Sequence, residues 1–317
     1  MDESPVQCYA VFGNPVLHSR SPQLYNILFE SDGINAYYTR IHAPTGQAVC
    51  EIIRMLGLSG ANITTPFKEA LIPYLDRLSP EAEKISAVNT ITSRNGQLTG
   101  HNTDSHGITG SLREARINPS GMKCMVMGAG GAGKAAATGL MNAGADVLIT
   151  NRTPGKAREF AGKAGCRFAM MGEAVKTLKS YDLLVIALPP GIFPFAPENI
   201  RAGLIMADAN YRSPSENAGI DKFGCRVIKG DRWLLHQAVE AYRIFTGKKA
   251  DTSLMENGLK RNLDPDKVII KEIRSGQNNL ITDCKKADML IDCRSLDVEQ
   301  IRKIIDDEKS KAFTSQG

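Results

Sequence analysis

Cys124-Met125-Val126-Met127 followed at once by Gly128-Ala129-Gly130-Gly131-Ala132-Gly133 is the stretch that decides the fold of this 317-residue chain. Four apolar residues read as a buried strand, and the run after the loop reads as a helix to Met141. The pattern between them is G-x-G-x-x-G. Gly128 permits the tight turn, Gly130 lets a pyrophosphate approach the backbone, and Gly133 lets helix and strand pack closely. The loop, with Gly131 and Ala132 in it, leads into the helix N-terminus, where unpaired N–H groups and the helix dipole favour an anion. Gly133-Lys134 also invites a P-loop reading, but Ala135 stands where a P-loop needs a magnesium-binding hydroxyl.

Outward from this loop, residues 146–150 read as the next strand. An NAD-binding chain places an acid there, about twenty residues after the loop. This chain has Asn151-Arg152-Thr153 instead. The planar donor fork of Arg152 suits a 2′-phosphate, and Lys156 adds a second positive charge, so the expected cofactor is NADP(H). Residues 183–188 form another strand candidate, closed by Pro189-Pro190-Gly191. Residues 204–208 and 226–228 complete the set, with Gly230 two residues after it. Residues 108–231 thus read as a Rossmann-type NADP-binding domain.

The segment before it also alternates strand and helix signals. Residues 9–12, 37–41 and 61–65 read as strands. Residues 22–30, 46–56 and 68–78 read as helices, the first with Ser21 as N-cap and the last interrupted by Pro73. The expectation is an N-terminal α/β domain, residues 1–107, completed by 232–262, where residues 231–245 form a helix. Residues 263–317 differ: dense, nearly balanced charge surrounds Val268-Ile269-Ile270 and an amphipathic helix over 296–309. They read as a surface appendage or partly disordered extension, or alternatively as a docking or oligomerisation element.

Composition sets further bounds. Hydrophobic residues make up 42% and charged residues 23%, ordinary for a globular protein, and the net charge of +5 comes from no long basic block. A nucleic-acid surface is disfavoured, while an anionic cofactor and substrate suit a mildly basic chain. No apolar run has membrane-spanning length, and the first residues lack a signal peptide's basic start. Seven cysteines include no C-x-x-C pair, consistent with a reducing cytoplasm and with neither a zinc site nor a redox dithiol.

Four polar segments of the first domain stand where apolar strands end: Gly13 to Pro22, Gly60 to Lys68, Ser86 to Thr90 and Gly100 to Asp104. Ligands of parallel α/β sheets bind outside the carboxyl ends of strands, so these segments point to one pocket. Read singly, each also has a structural role; Asn102 and Asp104, for example, suit an Asx turn.

Together the segments resemble the shikimate dehydrogenase signature, with G-x-P-x-x-H-S-x-S-P, N-[VI]-T-x-P-x-K, N-T and N-T-D in that order. Asn151-Arg152-Thr153, Asp208-Ala209-Asn210-Tyr211 with Pro214, and the helix of Gln237 are similar to that family as well. The resemblance covers roughly residues 6–262. It implies that Ser19 and Ser21 hold a substrate carboxylate, and that Thr64, Asn89, Asn102, Tyr211 and Gln237 contact the carboxylate or ring hydroxyls. It implies Lys68 and Asp104 as the catalytic pair, with no metal. The implied reaction is reversible reduction of 3-dehydroshikimate to shikimate by NADPH in aromatic amino acid biosynthesis, carried out by a cytoplasmic monomer or homodimer without membrane or nucleic-acid partners. A quinate/shikimate enzyme of other preference and a non-catalytic NADP or metabolite sensor are the alternatives. Departures from the family pattern are Tyr25 for a His, Ser105 for a Gly, Ile186 where Asn is common, and Trp233 for a Met near the cofactor ring.

Overall fold

A computed structural model describes residues 6–189, 191–211, 224–261, 267–272 and 288–303. The chain divides into two units, Met1–Ala82 with Val88–His101 and Ala241–Gly317, and Glu83–Ala87 with Asn102–Glu240.

In the first unit β1 (Gln7–Gly13), α1 (Ser21–Ser31), β2 (Ala36–His42), α2 (Gly46–Met55) and β3 (Gly60–Ile63) follow one another. β1 pairs parallel with both β2 and β3, so the expected βα units form. The helix expected over 68–78 is only one turn, α3 (Phe67–Ala70), with a 3-10 turn at Ile72–Tyr74. Pro73 offers no N–H to continue the ladder. β4 (Arg77–Leu78) takes the residues beyond it, and α4 (Pro80–Ile85) follows. β5 (Thr90–Arg94) and β6 (Gln97–His101) form an antiparallel hairpin on β3, so the sheet is mixed. Its turn is Asn95-Gly96, with φ of 52° and 76°, the left-handed pair that matches strand twist in a two-residue loop.

In the second unit α5 (Asp104–Glu114) packs on α6 (Gly131–Asn142), which follows β7 (Lys123–Met127). Then come β8 (Asp146–Thr150), α7 (Pro154–Ala164), β9 (Arg167–Phe168), α8 (Met171–Lys176), β10 (Leu183–Ile186), β11 (Ile205–Asp208) and β12 (Arg226–Ile228). The six strands are ordered β12-β11-β10-β7-β8-β9 and pair in parallel. β7 and β10 are buried on both faces apart from Lys123, which explains their continuous apolar runs. α9 (Gly230–Thr246) runs through the division at residue 240. Trp233, at its start, belongs to this unit's core. A Cβ on Gly107 of α5 would come within 2.4 Å of its ring, so the departure to Trp233 is matched by a glycine on the facing helix.

The chain returns to the first unit with α10 (Thr252–Lys260), capped by Asp251 and packed on α1. The described residues beyond it are not an appendage. β13 (Ile269–Glu272) and β14 (Met289–Asp292) join the first sheet, giving the order β13-β14-β2-β1-β3-β5-β6-β4. β14 pairs parallel with β2, setting Leu290, Ile291 and Asp292 against Arg40, Ile41 and His42. Met289, Ile291, Cys293 and Ile301 are buried in the core that holds Phe12, Ile41 and Ile53. Residues 298–303 are helical, so the helix expected from 296 starts two residues later, and residues 304–309 of that expectation lie outside the described residues. No helix among the described residues is long and apolar enough to cross a membrane.

Candidate active site

The loop after β1 carries both serines. A Cβ on Gly13 would lie 2.4 Å from Thr64 Cγ2, so glycine lets this loop approach the one after β3. Asn14 N donates to Thr65 O at 3.0 Å, and Thr64 N to Phe12 O at 2.8 Å. Those bonds bring the Ser19–Ser21 loop and the Thr64–Lys68 turn together within one unit. Ser21 is not the N-cap expected of it. It is the first residue of α1, Arg20 occupies the cap position without a capping bond from its side chain, and Ser21 N donates to Ser19 Oγ at 3.3 Å. Ser19 Oγ instead donates to Ser21 Oγ at 3.2 Å, and both residues are buried. Tyr25 stacks on Tyr38 with ring centroids 4.6 Å apart, amid Phe29, Tyr242 and Phe245. Tyrosine in place of His therefore completes an aromatic cluster beneath this loop.

Lys68 is half-buried on α3, and its carbonyl accepts from Val88 N at 2.8 Å. Asn89 is buried; its N donates to His101 O at 3.0 Å, and its Oδ1 accepts from Thr90 Oγ1 at 3.0 Å. Asn62 joins this group, accepting from Tyr38 Oη at 2.7 Å and donating to Thr90 Oγ1 at 3.0 Å.

In the second unit Asn102 Nδ2 donates to Ala87 O at 2.8 Å, and its Oδ1 accepts from Asp104 N at 3.0 Å. The Asx turn is present, and it sets the buried Asp104 as the first residue of α5, where a carboxylate is favoured by the dipole. Asp208 Oδ1 accepts from Asn210 N at 2.8 Å, while Asn210 Nδ2 donates to Leu188 O at 3.0 Å. This ties the turn of Tyr211 to the loop after β10. A Cβ on Gly230 would fall 2.3 Å from Asn210 O, so Gly230 also belongs to that arrangement. Gln237 lies half-buried on α9. Pro190 and Pro214 fall outside the described residues.

The nucleotide loop has the geometry its glycines imply. Gly128 has φ of 116°, and a Cβ there would meet Ala187 O at 2.3 Å. A Cβ on Gly133 would lie 1.9 Å from Gly128 O, whereas one on Gly130 would meet nothing within 4 Å. The middle position is thus open toward solvent at the start of α6, as pyrophosphate approach requires. Asn151 Oδ1 accepts from Ala129 N at 3.3 Å and its Nδ2 donates to Thr153 O at 2.9 Å, tying the loop to the end of β8. Arg152, Thr153 and Lys156 are exposed at that end. The residues present fit NADP(H).

Two histidines flank the substrate half. Burial, then Arg294, lowers the pKa of His42, against the opposing pull of Asp292; burial, then Arg94, lowers that of His101. Unfolded, each takes a proton near pH 6.5; folded, each does so only at lower pH. Their contribution to stability is therefore complete above about pH 6.5 and is lost as pH falls through that value toward the lower folded one. The urea midpoint should be lower at about pH 5.5 than at about pH 7.5; a rise on acidification across this range would contradict the assignment.

A mixed-sheet unit with a polar, hydroxyl-rich loop cluster, and a parallel-sheet unit with a glycine loop and an acid-free second strand, define a two-domain dinucleotide-dependent oxidoreductase. Residues 11–91 match the family model of the shikimate dehydrogenase substrate-binding domain, and residues 234–259 match the shikimate 5′-dehydrogenase C-terminal domain. Residues 123–209, spanning β7 to β11, match a model described as NADP oxidoreductase, coenzyme F420-dependent. A shikimate dehydrogenase (NADP(+)) of Moorella thermoacetica is 37% identical over 79% of this chain and 92% of its own. The shikimate 5-dehydrogenase of Thermus thermophilus, solved in complex with NADP(H) and shikimate, superposes with a TM-score of 0.72 at 33% identity over 80% of this chain and 98% of its own. Quinate dehydrogenase of Corynebacterium glutamicum, solved in complex with NAD, gives 0.73 at 26% identity over 80% and 98%. The chain belongs to the shikimate dehydrogenase family.

Proposed function

We propose that this chain is an NADP-dependent shikimate dehydrogenase that interconverts 3-dehydroshikimate and shikimate, acting in the cytoplasm as a monomer or homodimer with no membrane or nucleic-acid partner. The observation that carries the reading is the Ser19–Ser21 pair: two buried hydroxyls 3.2 Å apart on one held loop, spaced to donate to the two oxygens of one carboxylate. Thr64, Asn89, Asn102, Tyr211 and Gln237 complete the substrate contacts. NADPH, when bound, supplies the hydride. Reduction of the ring carbonyl leaves an alkoxide, which needs a positive charge and a proton. Lys68 provides both, giving one ammonium proton to the alkoxide and becoming a neutral amine, and the Asp104 carboxylate orients that ammonium. In the oxidation direction the same pair takes the hydroxyl proton. Shikimate added to the protein with NADP⁺ should raise NADPH absorbance; no change above a protein-free control would refute the reading.

Gly128, Gly130, Gly131, Ala132 and Gly133 cradle the pyrophosphate, with Asn151, Thr153 and Gly230 shaping the surrounding loops. Arg152 and Lys156 receive the 2′-phosphate. Arg152→Glu removes a charge-assisted contact and adds a like charge. It should weaken NADP⁺ binding by about tenfold to a hundredfold while leaving NAD⁺ within about threefold. Equal losses, measured by titration with each cofactor, would remove Arg152 from this role. The likeness to quinate dehydrogenase makes quinate the second substrate to test, with an Arg rather than an acid after β8 weighing against NAD.

A further inference from the structure

Arg40 is a guanidinium with no exposed surface, set in the middle of β2. Its Nε and Nη2 both donate to Ser19 O, at 3.0 and 2.8 Å, and Nη2 also donates to Gln23 Oε1 at 3.0 Å. Nη1 pairs with Asp288 Oδ1, just before β14, and Gln23 Nε2 donates to Asp288 Oδ2 at 2.8 Å. Two residues along, on the same face of β2, His42 Nε2 accepts from Val16 N at 2.8 Å. That bond fixes the tautomer, so Nδ1 carries the proton, and Nδ1 lies 3.7 Å from Asp292 Oδ1. Ser19 N donates to Val16 O at 2.9 Å, which closes the loop between the two points of attachment. Asp288, Leu290 and Asp292 share one face of β14 by strand alternation, the face that meets Arg40 and His42. Met289 and Ile291, on the other face, lie in the core.

The loop with Ser19 and Ser21 is thus held by two β2 side chains, each facing a carboxylate from β14 or the residue before it. The family models that match this chain end at residue 259, well before either carboxylate. We propose that β14 is part of the substrate-binding machinery: Asp288 and Asp292 are positioning residues that act through Arg40 and His42 to hold the Ser19–Ser21 loop in its carboxylate-binding geometry. The proposal rests on the reading of Ser19 and Ser21 as the carboxylate site. A buried guanidinium without its carboxylate is costly, so loss of Asp288 moves Arg40 toward water and releases the Ser19 carbonyl. Asp292 acts electrostatically on His42 Nδ1 and is itself held by Arg294, whose Nη2 donates at 2.6 Å.

Asp288→Asn in the full chain separates this role from a merely structural one. The KM for shikimate should rise by about tenfold to a hundredfold, the worth of hydrogen bonds to a charged group, with kcat within about threefold. NADP⁺ affinity should not change, and Asp288→Glu should recover most of the loss. Shikimate titrated calorimetrically into the NADPH complex, which does not turn over, should show the same loss of affinity. A variant that melts at lower temperature yet keeps the wild-type KM and shikimate affinity would overturn the proposal. If Asp288→Asn does not fold, Gln23→Ala removes the neutral bridge and leaves the ion pair: a raised KM at constant kcat supports the proposal, and an unchanged KM overturns it. Amide hydrogen exchange over residues 14–20 gives an arm independent of substrate identity. Faster exchange in Asp288→Asn is expected even if the wild type ignores shikimate, an outcome that would count against the proposed function alone. Unchanged exchange would overturn the positioning role.

Discussion

Lys68→Met should leave a folded protein that binds NADP⁺ as before and turns over shikimate about 10²- to 10⁴-fold more slowly, the usual worth of a positioned general acid or base. Methionine keeps much of the length and apolar stem of the half-buried lysine and removes only the ammonium. α3 is a single turn whose carbonyl bond to Val88 is a backbone contact, so the substitution leaves that support in place. Asp104→Asn should also lower kcat, because an amide cannot carry the carboxylate's charge. It keeps the backbone bond from Asp104 N to Asn102 and hence the start of α5. The double variant should lose far less than the product of the two single losses, since groups acting as a unit are non-additive. A raised KM with kcat nearly unchanged would reduce Lys68 to a binding residue.

A chain ending at Arg261 should fail to give a cooperatively folded first unit. Truncation there removes β13, β14 and the buried side chains of Met289, Leu290, Ile291, Cys293 and Ile301. Each large apolar side chain contributes roughly 1.5–3 kcal/mol by burial. Even reduced for a compact denatured state, the sum is on the order of 5–10 kcal/mol, which approaches the whole stability of an ordinary domain. The cut also bares the edge of β2 and leaves the buried Arg40 without the carboxylate of Asp288. The expected outcome is loss of the cooperative urea transition of the first unit, or insoluble protein. A truncated chain that unfolds cooperatively within a few tenths of molar urea of the full chain would show that β13 and β14 are dispensable.

That expectation reverses the reading of residues 263–317 as a surface appendage, and the reversal shows where sequence is legible. β7, β8 and β10 are buried parallel strands, so each appears as an apolar run, and the glycine loop is a local pattern with local consequences. Residues 124–150 could therefore be read almost element by element. β14 is four residues long and follows a charged stretch, so periodicity has nothing to act on. The partner of Arg40 is 248 residues away, and no spacing rule joins them. In contrast, the β5–β6 hairpin carried a readable signal in Asn95-Gly96 between two polar-apolar alternating runs, which a reading limited to βα units passes over. The candidate site residues stand out in the sequence as types because their motifs are contiguous. The supports beneath them do not. Ser21 looked like a helix cap because serine ordinarily is one; its hydroxyl is turned instead to Ser19. Arg40, His42 and Asn62 belong to a layer defined by the folded sheet rather than by any short motif.

The central claim is the pairing of shikimate with NADP⁺. Its most direct measurement is kcat/KM for shikimate and for quinate, each with NADP⁺ and with NAD⁺, on the same preparation of the full chain. The expected result is that shikimate with NADP⁺ exceeds each of the other three combinations by about tenfold or more, as the proposed Arg152 contact to the 2′-phosphate requires of the cofactor comparison. Quinate with NAD⁺ as the best pair, or no turnover in any of the four by a protein shown to bind NADP⁺, would contradict it.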